Sequence, residues 1–286
     1  MSVSVAQPAP AIGTAELLPE QVAAKQAASA EKQRRLVKTV AIKAVSLAVV
    51  LVAWQVIGSG INEVLFTVPS KIVLAGVQMI GSGELWFYLA PSLLVLIVGL
   101  AIACVLGIGT GLLLARYWAL DTALDMYVTF LYSIPSVALL PVIVLWAGFD
   151  FQAKVIVLVL FAYFPLAINT YQGVKNVDPK LLEVGRAFRC SEGQLWRNVV
   201  LPGSLPFIVT GLRLAVGRGL IGMVLADLYT AISGIGYLIV RSASTYRVDK
   251  MFVPIVLLGV LGIAFTALLR VVERKVAPWT LASTRE

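Results

Sequence analysis

Three ionisable residues accompany one apolar run of this 286-residue chain: Arg213 and Arg218 lie within Leu205–Leu225, and Asp227 lies just past its end. Charge in such a run normally faces a cavity or a partner, so the chemistry on offer is contact with a charged solute. Arg218 suits an anion, while Arg213 reads either as a tie between the preceding inner loop and the inner gate or as a helix-end side chain reaching back to the interface. Five residues set the two arginines about 140° apart on a helix, and nine put Asp227 nearly opposite Arg218. No ion pair is therefore available along this helix alone. Ser133 and Ser136, on either side of Pro135, and Asn169, close to Pro165, add polar groups to other apolar runs. Each proline removes a helical hydrogen bond, and the freed carbonyls need neighbours or water. The bend expected at Pro135 and Pro141 serves equally to line a path or to kink a packed helix. Ser133, Ser136, Asn169, Arg213, Arg218 and Asp227 are the candidate path residues.

Bond-breaking chemistry is poorly provided for. The chain has no histidine, which removes imidazole zinc sites and Ser–His or Cys–His nucleophiles. No catalytic or metal-binding residue is assigned. Of the two cysteines, Cys104 lies in an apolar run and Cys190 in a charged segment, which is no disulfide framework. No GxxxxGK[ST] loop is present, and Gly107-Ile-Gly-Thr-Gly111 lacks the lysine of a phosphate loop. The chain is expected to hydrolyse no nucleotide itself.

The elements that must position these residues are membrane helices. Apolar residues make up 59% of the chain and charged ones 13%, with mean hydropathy +0.92, whereas soluble domains average about 45–50% and about 25%. Crossing a bilayer takes about 20 apolar residues. Six runs qualify: 40–57, 91–115, 127–147, 155–171, 205–225 and 252–272. The net charge of +8 sits between these runs, a topological pattern that argues against nucleic-acid binding. With the N-terminus inside, the inner segments hold Lys32, Arg34, Arg35, Lys38, Lys43, Arg116, Lys175, Lys180, Arg186, Arg189, Arg197, Arg270, Arg274 and Lys275. The outer segments hold only Lys71, Lys154, Arg241, Arg247 and Lys250. The positive-inside rule then places both termini in the cytoplasm. Residues 1–35 read as a flexible cytoplasmic tail with a short interfacial helix over 21–38, residues 36–276 as the membrane domain, and 277–286 as a second tail. The stretch 61–89 is expected as an outer loop with an interfacial helix. The stretch 229–251 is expected to dip back against the bundle. Ala103, Gly107, Gly111 and Ala115 recur every four residues, so this run should pack closely on another helix.

The longest inner loop, residues 176–202, reads as two short helices. Asp178 caps the first, with Pro179 at its first position, and Leu181, Val184 and Phe188 share a face. Ser191 and Gln194 form a capping box for the second, Leu195 and Val199 continue the apolar face, and Pro202 is expected to end it.

This loop resembles the cytoplasmic "EAA" loop of permease subunits in binding-protein-dependent ABC importers. Glu183-Val184-Gly185 stands for Glu-Ala-Ala, and Val199-Val-Leu201-Pro202 keeps the aliphatic and Leu-Pro anchors in register, while Arg189 occupies the usual glycine position. Tyr132-Ser-Ile-Pro-Ser-Val-Ala-Leu-Leu-Pro-Val-Ile-Val-Leu-Trp-Ala-Gly148, Gly211-Leu-Arg213 and Ser233-Gly-Ile-Gly-Tyr-Leu-Ile239 are similar to the nitrate, sulfonate and taurine permease group. The resemblance covers roughly residues 91–272. It implies the all-α, six-span, MetI-like fold of type I importers in a multi-pass protein of the bacterial inner membrane. It also implies a pathway for a small polar or anionic solute of nitrate, sulfonate or taurine type. The implied partners are two cytoplasmic ATPase subunits, which bind ATP and Mg, and a periplasmic or lipid-anchored solute-binding protein. Glu183, Gly185, Arg186, Phe188, Arg189, Leu195, Trp196, Leu201 and Pro202 would couple the chain to the ATPase. Six spans are few for a complete pathway, which favours a homodimer within the bilayer. The alternative is an ATP-independent secondary transporter or channel, which predicts repeated halves with coupling acids at the midplane. No such repeat is seen.

Overall fold

The computed structural model describes residues 19–276, apart from 63 and 231. It is helical, with no strand among the described residues. Of the tails expected at 1–35 and 277–286, residues 1–18 and all of the second lie outside them. Residues 1–60 and 61–286 form two separate units.

The first unit contains α1 (Pro19–Ser59). The chain is helical from Pro19, which takes in the short helix expected over 21–38, because 19–35 is rich in Ala, Gln and Lys, which hold a helix readily. Glu31 and Arg35 add an ion pair of 2.7 Å one turn apart. Gln33–Ser59 is apolar enough to cross a membrane.

In the second unit, α2 (Pro69–Gly81) starts with its proline where no N–H is needed and buries Ile72, Ala75 and Met79. The helix expected within the stretch 61–89 is thus present as α2. Helix α3 (Glu84–Arg116) begins seven residues before the expected boundary at Pro91. Left-handed Gly83 stops the preceding turn, and Glu84 places a carboxylate at the helix N-terminus. That carboxylate also pairs with Lys250 at 2.7 Å.

The run 127–147 is not one straight span. Helix α4 (Trp118–Ser133) stops, a single 3-10 turn covers Ser136–Leu139, and α5 (Leu140–Ala147) follows. The two halves are bent by 86°. The prolines act differently: Pro135 forces Ile134 into extended backbone (φ −70°, ψ 127°), whereas Pro141 lies in the first turn of α5 and costs it nothing.

Helix α6 (Phe151–Lys175) runs through the middle. It leads to the short helices α7 (Pro179–Ala187) and α8 (Glu192–Leu195), then α9 (Leu201–Thr230), α10 (Ile235–Ser244) and α11 (Val248–Val276). Among the described residues five helices are long and apolar enough to span, and six if the bent pair counts as one.

The core lies where α3, α6 and α9 meet: Leu96 and Ala103 pack with Leu158, Ala162, Leu166, Ala215 and Met223. The small-residue stripe on α3 does bring backbones together. A Cβ on Gly111 would come within 2.7 Å of the Ala167 carbonyl oxygen on α6. Outside this core, Phe87, Ile97 and Val105 on α3 and Leu145 and Trp146 on α5 stand exposed. Lipid solvates such a surface where water would not. The expected inward fold of 229–251 is present as α10, which buries Ile235, Gly236, Leu238 and Ser242.

Candidate functional site

The hairpin 176–202 is built from local signals. The Asp178 carboxylate accepts the Lys180 N–H at 2.9 Å and opens α7. Helix α7 closes in a left-handed turn: Arg189 has φ +54°, the Cys190 N–H reaches the Gly185 carbonyl at 3.0 Å and the Arg189 N–H reaches that of Arg186 at 2.8 Å. This pairing is the glycine-type helix stop, here made by an arginine. The capping box follows, with the Ser191 N–H donating to Gln194 Oε1 at 2.8 Å and the Gln194 N–H to Ser191 Oγ at 3.3 Å.

Two of the expected coupling residues turn inward. Leu195 is buried, and its Cδ1 would lie 2.6 Å from a Cβ on Gly185, so these two residues pin α7 to α8 and neither faces outward. Leu195 therefore does not continue the α7 face. Pro202 does not end the second helix either. The five residues Trp196–Val200 widen into a π turn in which the Leu201 N–H reaches the Trp196 carbonyl. The chain stays helical over Glu192–Thr230, since the wider turn accommodates a proline ring that would clash with a regular one. Leu201 and Pro202 are half-buried at this joint, and Trp196 is half-buried beneath the Arg116 guanidinium, 4.9 Å from its ring centre.

Leu181, Val184 and Phe188 are 53%, 53% and 80% exposed, with Glu183, Arg186 and Arg189 exposed among them. The hairpin thus presents an apolar row edged by charge on a rigid, doubly capped support.

The candidate path residues separate into three groups. Around the α4–α5 break, Ser133 donates to the Thr129 carbonyl at 2.8 Å, and Ser136 opens the 3-10 turn. Arg218 of α9 reaches this place, 5.6 Å from the centre of the Tyr132 ring. Asn169 and Arg213 are interhelical. The Asn169 Cβ lies under Gly211, and its amide donates to the Pro165 carbonyl at 2.7 Å. Arg213 pairs with Glu273 of α11 at 2.7 Å.

Asp227 lines no path, because it is 0% exposed and fully engaged. Lys154 Nζ sits 2.8 Å from Asp227 Oδ1 and also donates to the Ser233 carbonyl at 2.6 Å. Ser92 Oγ donates to Asp227 Oδ2 at 2.5 Å and accepts the Ile235 N–H at 2.8 Å. Gly234 (φ +101°) crosses so close that a Cβ would overlap the carboxylate. The network fastens residues 233–236 to α3, α6 and α9. Lys154, expected in an outer segment, is 4% exposed inside it. Sequence reasoning missed Lys154, Ser92 and Glu273 as partners, and the one available signal was a lysine set directly against the apolar run 155–171.

Comparisons with known proteins agree with this architecture. A permease assigned to aliphatic sulfonate transport in Bacillus subtilis (SsuC) is 36% identical over 81% of this chain and 85% of its own length. The taurine transport system permease protein TauC of Escherichia coli is 29% identical over 82% and 88%. Among solved structures, the inward-facing MetNI methionine ABC transporter has a chain similar in fold, with TM-score 0.53 at 22% identity, covering 66% of this chain and 94% of that one. An amino acid ABC transporter gives 0.57 at 18%, covering 70% and 97%. The model of the binding-protein-dependent transport system inner membrane component matches residues 105–278, and the chain belongs to that family.

Proposed function

We propose that this chain is the permease subunit of an ATP-driven importer of small sulfonate-type solutes, with taurine-like and alkanesulfonate substrates foremost. Two copies form the pathway. Two ATPase subunits, which bind ATP and Mg, grip the hairpins from the cytoplasm, and a solute-binding protein delivers the solute on the other side. Both termini lie in the cytoplasm of a bacterial cell.

One observation carries this reading: the exposed row Leu181, Val184 and Phe188 on a helix too short and too charged to enter lipid. An apolar row edged with charge on a braced support is the form of a helix that seats in a partner's groove. Glu183, Arg186 and Arg189 supply the charged rim, and Gly185 and Leu195 hold the support rigid. Arg218, stacked on Tyr132 beside the bend, is the cation that suits an anionic solute. Substrate choice rests on the named relatives.

The test is co-purification. The wild-type chain should retain its cognate ATPase subunits in detergent, and Glu183→Lys or Phe188→Ala should release them while the permease still inserts. Full retention by both variants would remove the docking role.

A further inference from the structure

Helix α4 stands apart in the bundle because none of its residues is buried. A helix so loosely packed is positioned mainly by what holds its ends. At the bend, Tyr132 lies 5.9 Å from the Phe164 ring, with Arg218 over its face. At the other end, Asp121 pairs with Lys175 at 3.0 Å. Lys175 is the last residue of α6, immediately before the hairpin. Arg116, at the α3–α4 joint, stacks on Trp196, the first residue of the π turn, where the chain leaves the hairpin. Both roots of the hairpin are thus tied to one corner, residues 116–121. Between its tied ends α4 borders a cavity of about 230 Å³, lined by Asp125, Thr129, Tyr163, Tyr171 and Gln172.

We infer that α4 is the element the hairpin moves, and that Asp121 and Arg116 are the positioning residues that transmit the movement. The corner has contacts to both roots of the hairpin, α4 has no buried side chain to resist displacement, and the cavity behind it gives it room. Displacement of the hairpin roots carries the inner end of α4 with them. The Tyr132 end stays with α6 and α9, so the helix swings about the bend and the cavity changes size. The inference rests on the docking reading given above.

The experiment follows a cysteine in the cavity. Thr129→Cys is introduced with Cys104→Ala and Cys190→Ser, and the permease–ATPase complex is reconstituted in nanodiscs. Its maleimide reaction rate is measured without nucleotide and after trapping with ATP and vanadate. The two states should differ in rate on the order of 5-fold or more. Asp121→Lys should abolish the difference, Asp121→Lys with Lys175→Asp should restore it, and Arg116→Leu should diminish it. If Asp121→Lys fails to assemble, the charge-swapped pair and Arg116→Leu carry the test. Equal rates in a complex that traps nucleotide, or an undiminished difference with Asp121→Lys and Arg116→Leu combined, overturn the inference. A wild-type chain that retains no ATPase overturns the docking reading itself, and is recognised before any variant is compared.

Discussion

Lys154 and Asp227, 73 residues apart in sequence, meet 2.8 Å apart in the interior, the lysine 4% and the aspartate 0% exposed. A charge buried this deeply is tolerable only with its partner and with hydrogen bonds to its remaining atoms, and Ser92 and Ser233 supply those.

Removing one member should therefore cost more than removing both. Lys154→Met or Asp227→Leu alone should destabilise by about 3–5 kcal/mol, whereas the double variant should recover much of the loss. Thermal unfolding of the purified chain in detergent measures this, and a double variant less stable than either single one would contradict the assignment.

Gly111 should not accept a larger residue. Gly111→Val places methyl groups against the Ala167 carbonyl and Thr170 on α6. An overpacking loss of about 1–3 kcal/mol is expected. Gly109 on the same helix has open space where a Cβ would stand, so Gly109→Ala should not destabilise in the same unfolding assay.

The left-handed Arg189 gives a prediction of opposite sign. Arg189→Gly relieves a conformation that costs a side-chain-bearing residue roughly 1–2 kcal/mol and should raise hairpin stability by about 1 kcal/mol. Hydrogen exchange of the Cys190 amide, which closes the turn, reports it as slower exchange. Faster exchange would mean that the arginine side chain stabilises the turn.

Leu195 and Phe188 should behave as opposites. Leu195→Ala empties the contact with Gly185 and should loosen the hairpin by about 2–5 kcal/mol. Phe188→Ala should leave folding intact and weaken only the hold on an ATPase. Limited proteolysis of residues 176–202 set beside ATPase co-purification separates the two effects.

What was legible in the sequence was local. Apolar run length located the membrane helices, and Asp178, Pro179, Ser191 and Gln194 marked the hairpin caps because a cap is settled within three residues. The four-residue stripe on α3 told of close packing without naming α6 as the neighbour. Relations across helices were not legible. A helical wheel set Asp227 opposite Arg218 but could not reveal Lys154 on α6, and it could not show that Arg213 would find Glu273 on α11. Pro202 read as a stop because a proline is judged against a regular helix, and nothing in Trp196–Val200 announced the π turn that accommodates it. Leu195 matched the period of an outward face, but the turn at Arg189 folds α8 beneath α7 and carries that side chain inward. The bend at Pro135 was visible in outline, and its 86° size depends on packing of α5 against α6 and α9.

Uptake into proteoliposomes tests the central claim most directly. The chain alone, and the chain with its ATPase subunits and binding protein, are reconstituted and offered labelled taurine with or without ATP inside the ATPase compartment. The account predicts uptake only from the full assembly with ATP. Uptake by the permease alone, without nucleotide, would contradict it.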